Sequence, residues 1–231
     1  MMTPASALVV MAKAPVAGQV KTRLLAVMSA EEAAELSRCL LIDQLAHLCG
    51  LAVADLYLAF APAEARPLMK QLVPSAFSLL PQQGHELGER MTDVFESLFA
   101  AQYRNIVLIG GDLAPVPLNF LEEAFRLLES PAPRVVLGPA RDGGYYLVGL
   151  NGPKPEMFAG MTWSHERVLA QTRAKLASLD IEEHLLPVWF DIDTPEDLRY
   201  FQSALDSKLI GASPNTLNLL GRLNQIRCGS F

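Results

Sequence analysis

Apolar residues fall into two kinds of stretch that alternate along the chain. The runs at 7–12, 51–60 and 105–111 have the length and composition of buried strands. Between them, apolar residues recur every three or four positions, which is helical spacing. Strands that alternate with helices are typical of an α/β fold with a mainly parallel sheet. Further strands are predicted at 77–80, 134–138, 145–150 and before Asp191, and helices from Ser29 to Leu48 and at 62–72, 91–99, 118–128, 165–176, 198–205 and 214–227.

Three of the predicted helices begin with capping signals. Ser29 and Glu32 match a capping box, in which each side chain accepts a hydrogen bond from the backbone N–H of the other residue. Ser164 is predicted to be the N-cap of the helix that follows it. Thr194 followed by Pro195 is a strong helix start, because proline at the first helical position has no N–H to leave unpaired.

The chain is predicted to form one domain with a short extension. Residues 1–206 form a single α/β domain in this interpretation, and residues 207–231 form a C-terminal helical extension. We expect the apolar side of that extension to pack onto the domain or onto a second copy of the chain, which would make a homodimer. The residues on that side are Leu217, Leu220, Leu223 and Ile226.

Composition narrows the class of function. Of the 231 residues, 51% are hydrophobic, which is enough for a substantial core, and the formal net charge is −6. Lysine and arginine are scattered, so we expect no broad basic face for nucleic acid. No apolar run has the length of a membrane span. Cys39, Cys49 and Cys228 form no C-x-x-C pair and no signal peptide is evident, so a cytoplasmic location is expected.

The loop after the first strand concentrates positive charge. Lys13, Lys21 and Arg23 stand close together in it, Pro15 fixes a turn, and Gly18 permits a positive φ. In a parallel sheet this loop lies at the carboxyl edge, where ligands bind. The loop therefore favours an anionic ligand such as phosphate, although neither common glycine-rich phosphate motif is present. The alternative is a surface loop whose cations are simply solvated.

A second polar loop precedes the helix at 91–99. Gly84 and Gly88 permit unusual backbone angles there, and Glu89 and Arg90 follow at the helix start. Glu89 complements the helix macrodipole, so a structural role and a ligand-binding role are equally open for it. Arg90 opposes that dipole, which favours contact with a ligand.

Aspartates that follow strands are the candidate metal ligands. Asp112 comes directly after the most apolar strand and two glycines. A Mg²⁺ ion takes one or two protein carboxylates and completes its shell with water and phosphate oxygens. A turn or a helix cap is the alternative for Asp112. Asp191 and Asp193 are two apart at the end of a later strand, so their side chains point to the same side.

An Asp-Gly-Gly turn joins the strands at 134–138 and 145–150. Such a turn is a common hairpin signal, so a purely structural role is one interpretation. A cation, an anion and a phenol surround the two glycines, and together they could hold a polar acceptor or a sugar. The candidate acceptor-binding residues are Arg141, Asp142, Gly143, Gly144 and Tyr145.

Five motifs occur in a specific order. They are K-A-P-V-A-G-Q-V-K-T-R-L at 13–24, L-G-E-R-M at 87–91, G-G-D at 110–112, G-P-A-R-D-G-G-Y-Y-L-V-G-L at 138–150 and D-I-D-T-P-E-D-L at 191–198. With them the chain resembles, over roughly 8–201, the bacterial DUF2064 family of nucleotide-diphospho-sugar-transferase-like proteins in the glycosyltransferase-A superfamily.

The resemblance implies a fold, a site and a cofactor. The fold would be a three-layer α/β/α sandwich, Rossmann-like, with a mostly parallel central sheet. Asp112 and Asp193 would bind Mg²⁺ or Mn²⁺, and Lys21, Arg23 and Asp112 would be catalytic. A nucleotide or nucleotide-sugar donor would contact Lys13, Ala14, Pro15, Gly18, Lys21, Arg23, Gly88 and Arg90. Residues Arg141 to Tyr145 would face a small-molecule acceptor.

One motif departs from the pattern. The family more often has Gly-Ser-Asp-Cys-Pro after the central strand, whereas this chain has Gly110, Gly111, Asp112, Leu113 and Ala114. The aspartate is kept, but a hydroxyl, a thiol and a proline are replaced, which bears on loop shape and acceptor choice.

Three functions are compatible with these features. The first, which the family resemblance favours, is glycosyl transfer from a nucleoside-diphosphate sugar. The second is nucleotidyl transfer, in which an NTP is joined to a phosphorylated acceptor and pyrophosphate leaves; the cation-rich loop suits a triphosphate. The third is a catalytically inactive nucleotide-binding protein, for which the altered Gly-Gly-Asp-Leu-Ala segment is the only support.

Overall fold

The computed structural model describes residues 6–206, 210 and 213–228, and it contains a seven-stranded sheet with helices on both faces. The strands are β1 Ser6–Lys13, β2 Asp55–Ala61, β3 Phe77–Pro81, β4 Asn105–Gly110, β5 Arg134–Pro139, β6 Tyr145–Leu150 and β7 Glu182–Leu185. The helices are α1 Ala30–Leu48, α2 Arg66–Leu72, α3 Leu87–Ala100, α4 Leu118–Leu128, α5 Val168–Ser178, α6 Pro195–Asp206 and α7 Pro214–Cys228.

The strand order across the sheet is β3-β2-β1-β4-β6-β5-β7. Strands β1, β2, β3 and β4 are parallel to one another, and β7 is parallel to β5. Strand β6 runs antiparallel to both of its neighbours, because a short turn joins it to β5 as a hairpin. The mostly parallel sheet is therefore as expected, and the hairpin turn brings β6 back beside β4.

The side chains of β1 alternate between two hydrophobic clusters, as the period of a strand requires. Leu8 and Val10 belong to the cluster that also contains apolar residues of α1, α2, α4, α6 and α7. Ala7 and Val9 belong to the cluster under α3 and α5. Each face of the sheet is thus covered by helices, which confirms the three-layer α/β/α sandwich. No helix of the described residues is both long enough and apolar enough to cross a membrane.

Two of the capping signals are confirmed. The Ser29 hydroxyl accepts a hydrogen bond from the Glu32 N–H, and the Glu32 carboxylate accepts one from the Ser29 N–H. At α6, the Thr194 hydroxyl accepts from the Asp197 N–H, and the Asp197 carboxylate accepts from the Thr194 N–H in return. Both helices therefore begin where their sequences predict.

Helix α7 is anchored on α1 through a buried carboxylate. Asp43, which is 3% exposed, accepts hydrogen bonds from the backbone N–H groups of Asn215 and Thr216 and from both of their side chains. These N–H groups belong to the first turn of α7, where a negative charge is favourable. Apolar packing on the domain comes from Leu219 and Leu223, which are buried, and from Leu220, whereas Leu217 is 44% exposed. The side chain of Ile226 lies outside the part of the chain that is described.

Several expectations about element boundaries were wrong. Helix α2 begins at Arg66 rather than at 62, after a 3-10 turn at Ala63–Ala65, and helix α3 begins at Leu87 rather than at 91. Strand β2 begins at Asp55 rather than at 51. Helix α5 begins at Val168, because Ser164 has a φ of +64° and so cannot adopt the extended backbone of an N-cap. The segment before Asp193 is not a regular strand: after β7, only single bridges tie Trp189 to Ala140 and Asp191 to Leu113.

Candidate functional site

A cleft along the carboxyl edge of the sheet contains three adjoining cavities. The Trp163 cavity, of about 570 Å³, lies between the loop after β4, the β5–β6 turn and the segment 163–168. The Lys13 cavity, of about 420 Å³, lies beside the loop after β1. The Pro62 pocket, of about 440 Å³, adjoins the Lys13 cavity, and Lys13 and Arg90 line both. The Trp163 and Lys13 cavities meet at Arg23, Asp112 and Asp193.

The junction of these two cavities holds a lysine between two carboxylates. The Lys21 Nζ atom is 3.0 Å from Asp112 Oδ1 and 2.9 Å from Asp193 Oδ1. The Lys21 side chain is fully buried, while the side chains of Asp112 and Asp193 are 48% and 34% exposed. Burial alone would lower the pKa of Lys21, but the two carboxylates raise it above its ordinary value. The ammonium group is therefore charged and balances part of the charge of both aspartates.

Three distant segments bring these groups together. Lys21 has left-handed backbone angles, φ 50° and ψ 35°, directly before a short 3-10 turn at Thr22–Ala26, which turns the chain back toward the sheet. Asp112 follows β4, and its Oδ1 atom lies 3.4 Å from the hydroxyl of Ser37 on α1, which donates to it. The Ile192 N–H donates to the Asp112 carbonyl oxygen, which fixes the neighbouring Asp193 beside the end of β4.

Gly111 allows the close approach of β1 and the loop after β4. A Cβ atom at Gly111 would lie 2.8 Å from the Cβ atom of Ala12 and 3.1 Å from the carbonyl oxygen of Met11. The Gly111 N–H donates to that same carbonyl oxygen at 2.9 Å. The glycine that distinguishes this chain's Gly-Gly-Asp segment is therefore required by its own packing. The other two departures, Leu113 and Ala114, are buried in the core.

The donor set at the junction fits a hard divalent cation. Asp112 and Asp193 come from different segments and already converge on one cation, the Lys21 ammonium. Within the described residues, no group of three or more His, Cys, Asp or Glu side chains could hold a metal by itself. Two carboxylates are nevertheless what Mg²⁺ or Mn²⁺ needs when phosphate oxygens and water supply the remaining ligands.

Asp191 lies beside this pair without contacting Lys21. It lines the Trp163 cavity together with Asp193, so the two side chains do face the same side. Burial, followed by the charges of Asp193 and Asp142, raises the pKa of Asp191 to about 6. The ion pair with Lys21 makes Asp193 rather than Asp191 the partner of Asp112 at the junction.

Of the residues that the sequence analysis assigned to the nucleotide, some line a cavity and others do not. Lys13, Arg23 and Arg90 line the Lys13 cavity, and the buried Ala14 lines the Pro62 pocket. Lys21 also lines the Lys13 cavity, but its ammonium is held by the two aspartates rather than left free for phosphate. Outside the cavity linings are Pro15, Gly18 and Gly88.

Gly88 has a packing function. A Cβ atom there would lie 2.9 Å from the indole ring of Trp163, so this glycine makes room for the tryptophan at the start of α3. Trp163 in turn forms a wall of the Trp163 cavity. Gly88 thus shapes the site from behind the tryptophan.

The hydrogen bonds at the start of α3 account for the presence of both Glu89 and Arg90. The Glu89 carboxylate accepts hydrogen bonds from the N–H groups of His85 and Glu86, and these bonds lower its pKa. The Arg90 guanidinium donates to the carbonyl oxygens of Gly84 and His85 at 3.0 and 3.3 Å. Glu89 is therefore a helix-start residue, while Arg90 both ties the loop together and lines two cavities.

The Asp-Gly-Gly turn is structural and also lines the site. The Asp142 carboxylate accepts a hydrogen bond from the Gly144 N–H at 2.9 Å. Gly143 has a φ of +88°, and a Cβ atom there would overlap the carbonyl oxygen of Glu166. The Gly143 carbonyl oxygen accepts from the Leu169 N–H, which docks the turn against the start of α5. Asp142 and Gly144 nevertheless face the Trp163 cavity.

Tyr145 and Arg141 differ from the expected acceptor contacts. The hydroxyl oxygen of Tyr145 is buried, and its ring lies edge-to-face against Trp163 at 6.5 Å. Tyr145 therefore presents its ring rather than its hydroxyl to the cavity. The Arg141 guanidinium stacks on the ring of Tyr200 at 3.8 Å and lines a smaller neighbouring cavity.

Two further residues of the Trp163 cavity carried no clear sequence signal. His165 accepts a hydrogen bond at Nδ1 from the Arg167 N–H, and its Nε2 atom is 2.8 Å from the Thr162 hydroxyl. Glu166 lines the same cavity. Neither residue belongs to a recognisable motif, and both reach the site because the chain from 163 to 167 turns back before α5.

Comparisons with known proteins agree with this architecture. The model of the DUF2064 family, described as an uncharacterized protein conserved in bacteria, matches residues 44–165. A crystal structure of a protein from Desulfovibrio desulfuricans G20, described as a "putative nucleotide-diphospho-sugar transferase", superposes with a TM-score of 0.87 at 32% sequence identity and covers 98% of each chain. No curated protein matches the sequence.

Two other crystal structures share the fold at low sequence identity. The 4-diphosphocytidyl-2C-methyl-D-erythritol synthase of Anaerococcus prevotii DSM 20548 has a TM-score of 0.56 at 10% identity and covers 87% of this chain and 96% of its own. Rv0371c of Mycobacterium tuberculosis H37Rv in complex with manganese has a TM-score of 0.52 at 17% identity, over 86% of this chain and 98% of its own. These likenesses concern the fold alone.

Proposed function

The chain belongs to the DUF2064 family, and from that premise we propose that it is a metal-dependent transferase that moves a glycosyl group from a nucleoside-diphosphate sugar to a small acceptor. The observation that carries the proposal is the convergence of Asp112 and Asp193 at the junction of two cavities of different chemistry. One cavity presents cations to a diphosphate, and the other is open to an acceptor.

In this proposal the donor lies on the Lys13 side. Lys13, Arg23 and Arg90 neutralise the diphosphate, and the Pro62 pocket receives the nucleoside. Asp112 and Asp193 would hold the divalent ion against the diphosphate oxygens. An ion bound there would draw electron density from those oxygens and make the diphosphate a better leaving group. Lys21 holds the two carboxylates in place and limits their mutual repulsion.

The reaction then takes place at the junction. An acceptor hydroxyl in the Trp163 cavity attacks the anomeric carbon, a bond forms between that carbon and the acceptor oxygen, and the bond to the diphosphate oxygen breaks. The electron pair leaves with the nucleoside diphosphate. The acceptor proton passes to a carboxylate that faces the same cavity, where Asp142 and Asp191 are placed.

The two other hypotheses receive less support. Nucleotidyl transfer was favoured by three cations in the first loop, but the charge of Lys21 is already engaged by Asp112 and Asp193. The hypothesis of an inactive binding protein relied on the altered Gly-Gly-Asp-Leu-Ala segment. In that segment Asp112 keeps its position at the junction, and Leu113 and Ala114 are core residues.

A ligand screen followed by a turnover assay tests the proposal. Thermal unfolding of the purified protein is measured with NTPs and with nucleoside-diphosphate sugars, each with and without Mg²⁺ or Mn²⁺. A ligand at 100 times its Kd stabilises the folded protein by about 2.7 kcal/mol, which is readily detected. A metal-dependent shift with one nucleotide sugar, and release of its nucleoside diphosphate on turnover, is the expected result. A shift with NTPs alone would contradict glycosyl transfer.

A further inference from the structure

The Trp163 cavity contains more carboxylates than cations. Asp112 and Asp193 are shared with the junction, where Lys21 and a bound divalent ion would balance them. On the far side the cavity is lined by Asp142, Glu166 and Asp191, and Arg23 is its single cationic lining residue among those described. Three acidic residues and one arginine therefore line the part of the cavity that an acceptor would occupy; Asp142 and Glu166 are exposed, and Asp191 is half-buried.

The nearby cations offset only part of this charge. Lys13 and Arg90 line the opposite cavity. Arg141 is stacked on Tyr200, and it lines a small adjoining cavity with Arg23, Asp142, Asp191 and Asp193, so it balances part of the charge of these aspartates. An anionic group in the Trp163 cavity would thus meet the remaining net negative charge, which water screens in part because Asp142 and Glu166 are exposed.

The first two backbone donors of α5 do not create an anion site there either. The first N–H groups of a helix often bind phosphate. At the start of α5, however, the Val168 N–H donates to the His165 carbonyl oxygen, and the Leu169 N–H donates to the Gly143 carbonyl oxygen. These two donors are already occupied by the turns that shape the cavity.

The remaining wall of the cavity is apolar and aromatic. Trp163 and the ring of Tyr145 stand edge-to-face on one side, and Met11, Leu87 and Leu113 continue the surface. Aromatic faces attract cations and pack against the C–H groups of a ring, but they repel anions. The wall and the carboxylates therefore select for the same kind of molecule.

Building on the glycosyl transfer proposed above, we infer that the acceptor carries no anionic group. It is a neutral or cationic hydroxyl compound, such as a sugar, polyol or amino alcohol, whose apolar side packs on Trp163 while its polar side faces Asp142, Glu166 and Asp191. Phosphate esters and carboxylic acids are excluded as acceptors by the charge of the cavity.

The charge can be measured directly through tryptophan fluorescence. The chain contains two tryptophans; Trp163 lines the cavity, and Trp189 is only 4% exposed. Quenching of the full-length protein by caesium, iodide and neutral acrylamide is measured in Mg²⁺-containing buffer, and the W163F variant supplies the contribution of Trp189. Relative to a free tryptophan derivative, caesium should quench Trp163 at least about twofold better than iodide. Equal or stronger quenching by iodide would overturn the inference.

Charge-removing variants assign the effect to the cavity. The double variant D142N/E166Q should bring the caesium-to-iodide ratio close to that of the free tryptophan derivative, because two of the three carboxylates are removed. Asparagine at 142 can still accept the Gly144 hydrogen bond. The matched variant D93N/E129Q removes two carboxylates outside the cavity linings and should leave the ratio unchanged. A ratio that falls equally in both variants would show that only net charge matters.

Turnover with matched acceptors tests the substrate class. Glucose, glucosamine and glucose 6-phosphate are compared at equal concentration with the donor identified by thermal shift, and products are detected by mass spectrometry. The phosphorylated sugar should react at least about tenfold more slowly than the other two. Faster transfer to glucose 6-phosphate would contradict the inference while leaving glycosyl transfer intact. Absence of nucleotide-sugar binding would instead refute the proposed function, and the quenching result would stand independently.

Discussion

The two sides of the cleft are built differently. On the Lys13 side, loops continue from the parallel strands β1 and β2, and Lys13 and Arg23 are exposed to solvent, whereas Lys21 of the same region is buried between its two aspartates. On the Trp163 side, the walls are fixed by close backbone contacts, such as those of Gly143 with Glu166 and Leu169. The Lys13 side therefore presents exposed charged side chains on ordinary loops. The Trp163 side surrounds its cavity with turns that are held by close backbone contacts.

This difference indicates which kind of change each side tolerates. Substitutions on the Lys13 side should alter ligand affinity with little effect on folding. Substitutions in the turns of the Trp163 side should lower the stability of the fold more than they change the rate of the reaction. The junction, where Lys21 meets Asp112 and Asp193, belongs to both sides and should be the most sensitive point for activity.

The largest effect is expected at that junction. Asp112→Asn keeps the size of the side chain but removes a charge from the proposed metal site, so transferase activity should fall by at least about 10²-fold. The rate is measured as nucleoside diphosphate released, with Asp93→Asn as a charge-matched control outside the cavities. Full activity in the Asp112 variant would remove this residue from the mechanism.

The next effect concerns the rigid frame. Gly143→Ala should lower the free energy of unfolding by more than about 2 kcal/mol, because it adds overlap with the Glu166 carbonyl oxygen to the strain of a positive φ. Gly160→Ala is the matched control: φ is +67° there, but no atom lies within 4 Å of the added Cβ, so the cost should be about 1 kcal/mol. Urea unfolding measures both. Equal costs would show that the turn is not held against Glu166 as described.

On the Lys13 side the effect should be on binding alone. Lys13→Met should raise the Kd for a nucleoside diphosphate about three- to tenfold and weaken its dependence on salt, since one exposed charge contact is lost. Lys70→Met, on the exposed side of α2, is the control for loss of charge. Calorimetric titration at two salt concentrations separates the two variants. A Lys13 variant with unchanged affinity would place the diphosphate elsewhere.

The smallest effect should appear in the pH dependence of stability. The pKa of Asp191 is raised to about 6 from an ordinary value of 3.8, so the folded protein binds a proton there more tightly than the unfolded chain does. Stability from this group is therefore present below pH 4 and lost as the pH rises toward 6. Relative to wild type in the presence of EDTA, Asp191→Asn should gain on the order of 1 kcal/mol at pH 7.5 and nothing at pH 4, after allowance for solvent screening. A gain that does not change with pH would rule out this titration.

Patterns along the sequence predicted alternating strands and helices with a mainly parallel sheet, and the family resemblance implied the three layers; the fold confirms both. Asp112 and Lys13 could be placed at one edge because parallel strands end together, and Asp193 could be placed because a helix-start signal follows it. The starts of helices α1 and α6 could be predicted because the residues that cap each helix lie within its first turn. Each of these inferences uses residues that are close in the chain or related by a simple repeat.

What could not be predicted depends on long-range contacts. The ion pairs of Lys21 join positions 91 and 172 residues apart, so nothing local shows that its charge is already engaged. Ser164 has the residue type of an N-cap, but the chain around it is turned by contacts with the hairpin. The hydroxyl of Tyr145 points into the core because of its neighbours, which residue type alone does not reveal.

The tight packing of Gly111 against Ala12 predicts a structural difference from relatives that have serine at the position of Gly111. A Cβ atom at 111 would lie 2.8 Å from the Cβ atom of Ala12, 3.1 Å from the carbonyl oxygen of Met11 and 3.3 Å from the Cα atom of Ala12. A glycine at 12 relieves only the first of these contacts, so relatives that have Gly-Ser-Asp after the central strand should hold this loop farther from the first strand. Gly111→Ser in this chain should lower the free energy of unfolding, and Ala12→Gly in the same molecule should recover only part of that loss.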